Sequence, residues 1–213
     1  MELFKYCRSE HQVQMLNFGS VRVGTLEDYR RTDKYGELVS DEFEGSKRLD
    51  GTIPNVKSVN MKDYPGLKGI AHIAPGSSGK VVITNFRLSV SNLLVFSASE
   101  HYSSVTHDRW KSEEGYDSCY QILSPQLFFQ AISEALGANY TFLGYGRVHY
   151  ADQLHIAEPA AGIHPALVKR QSGYSDQSEV RELWRPKAGI EVRPVVIPET
   201  SAGSYCRGYC RLA

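Results

Sequence analysis

One segment of this 213-residue chain carries strong helical periodicity: Ser124-Pro125 followed by LFFQAISEAL, with Gly137 as its stop. Elsewhere the apolar residues fall mostly in short runs of strand character, broken by Gly, Pro, Ser and Asn. A chain with many strands, few helices and irregular alternation cannot wind a doubly wound parallel sheet. It predicts an α+β fold.

The other elements follow from local signals. Residues 2–7 read as an opening strand, and Ser9 with Gln12 three residues on forms a capping-box signal for a helix ending at Gly19. SVRVG at 20–24 alternates like a second strand, and Thr25 followed by Asp28 caps a short turn through Tyr29 and Arg30. Residues 33–45 are acidic and poorly periodic, so they read as a loop. Residues 46–80 are rich in Gly, Pro, Ser, Asn and Lys, with strand-like pieces at 52–59 and 70–73. Stronger strands are expected at 81–88 and at 93–97, the latter surfacing at Ser97-Ala98-Ser99. Further strands are expected at 117–123, 141–150, 179–184 and 190–197, a short helix at 164–170, and a surface tail over 198–213. No internal repeat is present, and residues 1–213 read as one domain.

Composition narrows the function classes. Twenty-four basic against 24 acidic residues exclude nucleic-acid binding by bulk charge, so any such contact must be built locally. No apolar run approaches the roughly 18 residues of a membrane span, and MELFKYCRSE lacks the basic start and apolar centre of a signal peptide. A cytoplasmic protein that makes no membrane contact is expected. Cys7, Cys119, Cys206 and Cys210 are too few and too scattered for a disulfide framework. Cys206 and Cys210 lack the second ligand pair of a zinc site, so free thiols and no metal are expected. Thirteen Tyr and eight Phe supply rings that can stack on a planar ligand.

The common nucleotide, zinc-protease and hydrolase signatures are absent. Four candidates remain: Lys5-Tyr6, the stretch from Tyr29-Arg30 to Glu44, Ser97-Ala98-Ser99, and Gln177-Ser178-Glu179. Each has a plain reading. Gln177-Ser178-Glu179 reads as a solvent-facing turn before VRELW, with Glu179 and Arg181 on one face. Asp41, Glu42 and Glu44 read as a solvated acidic patch, and the serines as a strand-end cap.

Their order is more informative. LFKYCRSE, GSVRVGTLEDYRRTDKYGELVSDEFEG, VFSASE with Trp110, then Lys169, Tyr174 and QSEVRELW together resemble the ADP-ribosyltransferase-like families, including bacterial proteins of unknown function. The resemblance spans most of the chain through short motifs. It implies split antiparallel β-sheets enclosing an NAD cleft, with transfer of ADP-ribose and loss of nicotinamide. Glu179 would stabilise the oxocarbenium-like transition state, Gln177 would position the acceptor, and Ser97, favoured over Ser99, would hold the nicotinamide ribose. Lys5 stands where related families carry Arg or His and would meet NAD as a point charge. Tyr6, Tyr29 and Arg30 would complete the cofactor contacts, Tyr29, Tyr102 or Trp110 stacking on nicotinamide. An acid among Asp41, Glu42 and Glu44 would pair with Arg30 or act as general base.

The resemblance also implies a macromolecular acceptor, RNA, DNA or protein, and a toxin or anti-phage effector held in check by an inhibitory antitoxin. Arg181, Arg185, Lys187 and Arg193, with Arg207 and Arg211, would form a basic stripe for a phosphate backbone, with Tyr205 and Tyr209 stacking bases. Two alternatives keep the fold: an NAD glycohydrolase, in which water replaces the acceptor, and a catalytically silent protein- or nucleic-acid-binding module.

Overall fold

Helix Pro125–Leu136 organises the larger core. The computed structural model describes residues 2–31, 40–74 and 76–211, with backbone alone at Cys210 and Arg211. In chain order the first half contains β1 (Leu3–Cys7), α1 (Ser9–Phe18), β2 (Val21–Thr25), α2 (Leu26–Tyr29), β3 (Ser46–Ile53), β4 (Val81–Ser89) and β5 (Leu94–Ser99). Then come α3 (Ser104–Glu114), β6 (Ser118–Ile122), α4 (Pro125–Leu136), β7 (Tyr140–Arg147), β8 (His149–Tyr150), β9 (Leu154–His155) and β10 (Val168–Lys169). Strands β11 (Glu179–Pro186), β12 (Val195–Ile197) and β13 (Cys206–Arg211) follow. The class is α+β, with mostly antiparallel sheets and four α-helices among the described residues.

The larger sheet runs β12-β2-β5-β1-β6-β13, and β11 and β7 extend it from the other edge of β5. Proline at the first turn of α4 costs no hydrogen bond, and the spacing of Phe128, Phe129, Ile132 and Leu136 gives one buried stripe. That stripe meets Phe96, Val180 and Trp184, and the Trp184 indole donates to the Ser133 hydroxyl at 2.9 Å. Each such ring or branched chain contributes about 1.5–3 kcal/mol by leaving water. Truncating Phe128 to Ala would cost about 3–5 kcal/mol.

A smaller sheet, β4-β3-β9, closes over Leu49, Ile53, Leu67, Leu154 and Ile156. Strands β8 and β10 pair in parallel beside it, so the chain segment ahead of Glu179 is anchored before β11 begins.

Several expectations change. Ser9 does not cap α1: Arg8 is the N-cap residue, while Ser9 donates its N–H to Asp117 Oδ1 at 2.7 Å and Gln12 is buried, donating to the Cys119 carbonyl. Tertiary partners outcompete the capping box. Thr25 does cap α2, accepting from the Asp28 N–H at 2.9 Å. Residues 52–59 split into the end of β3 and a 3-10 turn, 70–73 form no strand, and 164–170 form a 3-10 turn leading into β10. The tip of β5 stays in the sheet instead of surfacing, because β11 covers its edge as far as Ser99. The segment after Pro198 is no free tail: Cys206–Arg211 pairs with β6 as an edge strand. Residues 33–39 of the acidic loop and the side chain of Cys210 lie outside what is described.

Candidate active-site cleft

The larger sheet divides at β5. One edge of β5 pairs with β11 from Leu94 to Ser99, whereas the other is shared: Leu94 and Val95 pair with β2, and only Ser99 pairs with β1. Between them, at Phe96–Ala98, β1 and β2 diverge and a cleft of about 440 Å³ opens. The Lys5 ammonium donates to the Ser97 carbonyl at 2.6 Å, at the point where the sheet divides, and lies over the Phe96 ring. Burial draws the Lys5 ammonium down to about 8.

Glu179 lies in the wall of this cleft and is 8% exposed. The chain enters β11 through Ser178, a non-glycine residue at φ 46° and ψ 49°. That left-handed residue turns a 3-10 segment into strand, and Gln177 and Glu179 both line the cleft. Lys169 donates to Glu179 Oε1 at 2.6 Å and to Gln177 Oε1 at 2.9 Å. Arg181 Nε donates to Glu179 Oε2 at 2.7 Å, and the rest of its guanidinium binds both oxygens of Glu44 and the Ala166 carbonyl. The Tyr150 hydroxyl accepts the Glu179 N–H at 2.8 Å. Burial alone would push the Glu179 carboxyl up. Arg181 and Lys169 overturn this and hold it well below the usual carboxylate range, so it is ionised at neutral pH.

Part of the cleft lining is aromatic. Tyr6 stacks with Trp110 at 6.4 Å between centroids, and Trp110 with Tyr116 at 5.2 Å. The Tyr6 hydroxyl accepts the Ser103 N–H at 2.8 Å, which fixes the ring against α3. Tyr29 lines the same space, its hydroxyl raised by burial. Arg22 and Asp28, paired at 2.6 Å, also line the cleft.

Of the residues expected in the site, Lys5, Tyr6, Tyr29, Ser97, Ser99, Gln177 and Glu179 line one cleft. Arg30 does not: its guanidinium donates to the main-chain carbonyl of Glu44 at 2.6 Å and props up that segment. The ladder sets Ser99 directly opposite Glu179 and Ser97 opposite Arg181, so Ser99 is the cross-strand neighbour of the carboxylate. Gln177-Ser178-Glu179 is no solvent-facing turn, because Gln177 and Glu179 are both buried. Asp41 and Glu44 are no solvated patch either; they pair with Arg170 at 2.8 Å and with Arg181, respectively, and only Glu42 is exposed. Arg181 therefore leaves the expected basic stripe, and Arg193 is matched by Glu191 at 2.8 Å. The side chain of Arg211 lies outside what is described.

Sequence reasoning missed the tie of Lys169 to Glu179, the Arg181–Glu44 pair and the place of Arg22. Only Arg22 had a local signal, the polar position within the alternating SVRVG. Among the described residues no helix is long and apolar enough to cross a membrane. No protein-family model, curated protein or solved structure matches the chain.

Proposed function

We propose that this chain is an NAD-dependent ADP-ribosyltransferase that cleaves the nicotinamide glycosidic bond and passes ADP-ribose to a macromolecular acceptor. The observation that carries the reading is a buried carboxylate, Glu179, kept ionised in the wall of a cleft opened by a divided antiparallel sheet.

The chemistry asks for such a group. As the bond between the ribose C1′ and the nicotinamide nitrogen breaks, its electron pair leaves with neutral nicotinamide and positive charge develops on the ribose. A fixed anion in a site of low dielectric stabilises that charge and needs little reorganisation. With both oxygens already accepting from cations, Glu179 is a weak base, which suits electrostatic stabilisation better than proton abstraction. Ser99 across the ladder has a hydroxyl to orient the carboxylate or a ribose hydroxyl, with Ser97 one step behind. The Tyr6, Trp110 and Tyr116 rings offer faces for a planar heterocycle, and Lys5 with Arg22 offers charge for the pyrophosphate. The acceptor nucleophile then bonds to C1′ and loses its proton.

One observation favours hydrolysis in the same cleft as a second reading. Gln177, expected to position an acceptor, is buried and gives its carbonyl to Lys169. Water would then attack C1′, releasing free ADP-ribose.

Nicotinamide release from NAD, measured for the purified protein and for Glu179→Gln with and without RNA, DNA and lysate protein, tests both. Release is expected to fall about 100-fold or more in the variant, the scale for losing one preorganised electrostatic group. Label appearing on one pool names the acceptor class, and free ADP-ribose alone favours hydrolysis. No release in any mixture, with no NAD binding, would leave the binding-module reading.

A further inference from the structure

Outside the cleft, three guanidinium groups converge on a single ring. The guanidinium carbons of Arg48, Arg87 and Arg170 lie 4.7, 4.6 and 5.0 Å from the centroid of Phe43. Any two of them are therefore within about 10 Å of each other. Arg48 and Arg87 are direct cross-strand partners in the β3–β4 ladder, an arrangement in which like charges repel. Arg170 is answered by Asp41 at 2.8 Å, but neither Arg48 nor Arg87 has a carboxylate partner among the described residues. Arg87 reaches only the Ser46 hydroxyl, at 3.3 Å, and both side chains are exposed.

Phe43, Arg48 and Arg170 line a notch of about 250 Å³, and Arg87, on the same ring, is not part of that lining. Lys47 lines the notch as well, its ammonium buried and donating to the carbonyls of Ala161 and Ile163. Asp152 is the carboxylate in the lining, and it accepts the Gln171 N–H at 3.3 Å. Lys169 lines both this notch and the cleft, so the cationic surface adjoins the wall that holds Glu179.

In a chain of zero net charge, two guanidinium groups held side by side with no carboxylate partner among the described residues make a local anion site and not a bulk field. Phe43 fixes the forks by cation–π contact and leaves their N–H groups to solvent. Two exposed forks on a strand pair, instead of donors converging in a closed pocket, match successive phosphodiesters of an extended chain better than a single phosphate. We infer that Arg48 and Arg87, held on Phe43 beside this notch and near the Glu179 cleft, bind the phosphodiester backbone of a single-stranded polynucleotide. That this strand is the acceptor rests on the transferase reading; binding itself does not.

Fluorescence anisotropy with labelled 20-mers of single-stranded RNA and DNA, titrated over a series of salt concentrations, tests the site. Arg48→Ala/Arg87→Ala is expected to weaken binding about tenfold or more and to reduce the salt slope by about 1.4, the value for two lost contacts to a single strand. Arg48→Lys/Arg87→Lys is expected to retain most of the slope, and Arg48→Ala or Arg87→Ala alone to lose about half as much as the double variant. Thermal unfolding should be unchanged or raised in the double variant, since a repulsion is removed. Unchanged affinity and slope, or no binding of either 20-mer, would overturn the site. A raised NAD KM with unaltered oligonucleotide binding would instead assign the notch to the donor pyrophosphate and overturn it too. Oligonucleotide binding lost in the variant, with no nicotinamide release from the wild type, would keep the notch and remove the transferase reading.

Discussion

Lys169 Nζ lies 2.6 Å from Glu179 Oε1, with both side chains nearly out of water. Arg181 holds the other carboxylate oxygen and carries Glu44 on its far side, so two cations and two anions form one closed, neutral set. Isolated buried charges would cost several kcal/mol each, and the set is tolerable because every member is answered. The price of ionising Glu179 in the cleft is thus met by Lys169 and Arg181, with Glu44 balancing Arg181.

The balance of this set makes its members unequal under mutation. Arg181→Met strands Glu44 and leaves Glu179 with Lys169 alone, and it is expected to cost about 3–5 kcal/mol, the scale for breaking a buried pair. Lys169→Met leaves Glu179 with Arg181 and should cost less. Urea unfolding at neutral pH checks the order, and a loss below about 1 kcal/mol for Arg181→Met would contradict it.

The same set fixes the acid limb of stability. Glu179 titrates well below its ordinary 4.5 in the folded chain, so its contribution is fully present above about pH 4.5 and is lost as pH falls below that value. One such group contributes a slope of up to about 1.4 kcal/mol per pH unit. Glu179→Gln is expected to flatten acid unfolding below pH 4.5, as followed by circular dichroism. An unchanged acid limb would show that Glu179 is not ionised at low pH.

Helix α4 was legible because Pro125, the apolar spacing and Gly137 agree on one element. Helix α3 was not, since SVTHDRWKSEE has almost no apolar stripe and is held by the Ser103 cap and the rings around Trp110. The strand β13 looked like a tail because an edge strand of Cys, Arg, Gly and Tyr carries little hydrophobic alternation. In the site, Glu179, Gln177 and the serines came from motif order. The ionisation of Glu179 depends on Arg181, itself held by Glu44 137 residues away, and such a long-range pair leaves no local pattern.

Lys5 sets an alkaline limit on cofactor binding under the proposed function. Burial brings its ammonium to about 8, so its charge is half lost near that pH in the ligand-free protein. NAD binding is expected to weaken as pH rises through 8, whereas Lys5→Arg, which stays charged, should bind with little dependence between pH 7 and about 9.5. Calorimetric titration of both proteins decides it; a flat wild-type profile would remove Lys5 from the donor contacts.

Glu182 gives the opposite pH dependence from Glu179, on the other face of the same strand. Period-two alternation in β11 sends Glu179 and Arg181 to the cleft and Val180, Glu182 and Trp184 toward α4. Glu182 is fully buried, and neither carboxylate oxygen has a hydrogen-bond partner among the described residues; burial pushes it up to about 9, slightly offset by the neighbouring Ser133 hydroxyl. Its folded value lies above the unfolded one, so the unfolded chain holds fewer protons between about 4.5 and 9 and stability declines as pH rises through that window. Glu182→Gln, which keeps the volume and cannot ionise, is expected to remove a slope of up to about 1.4 kcal/mol per pH unit and to be more stable than wild type at pH 8. Urea unfolding at pH 5.5 and 8 measures it. Equal slopes in the two proteins would mean that Glu182 is already ionised in the folded core.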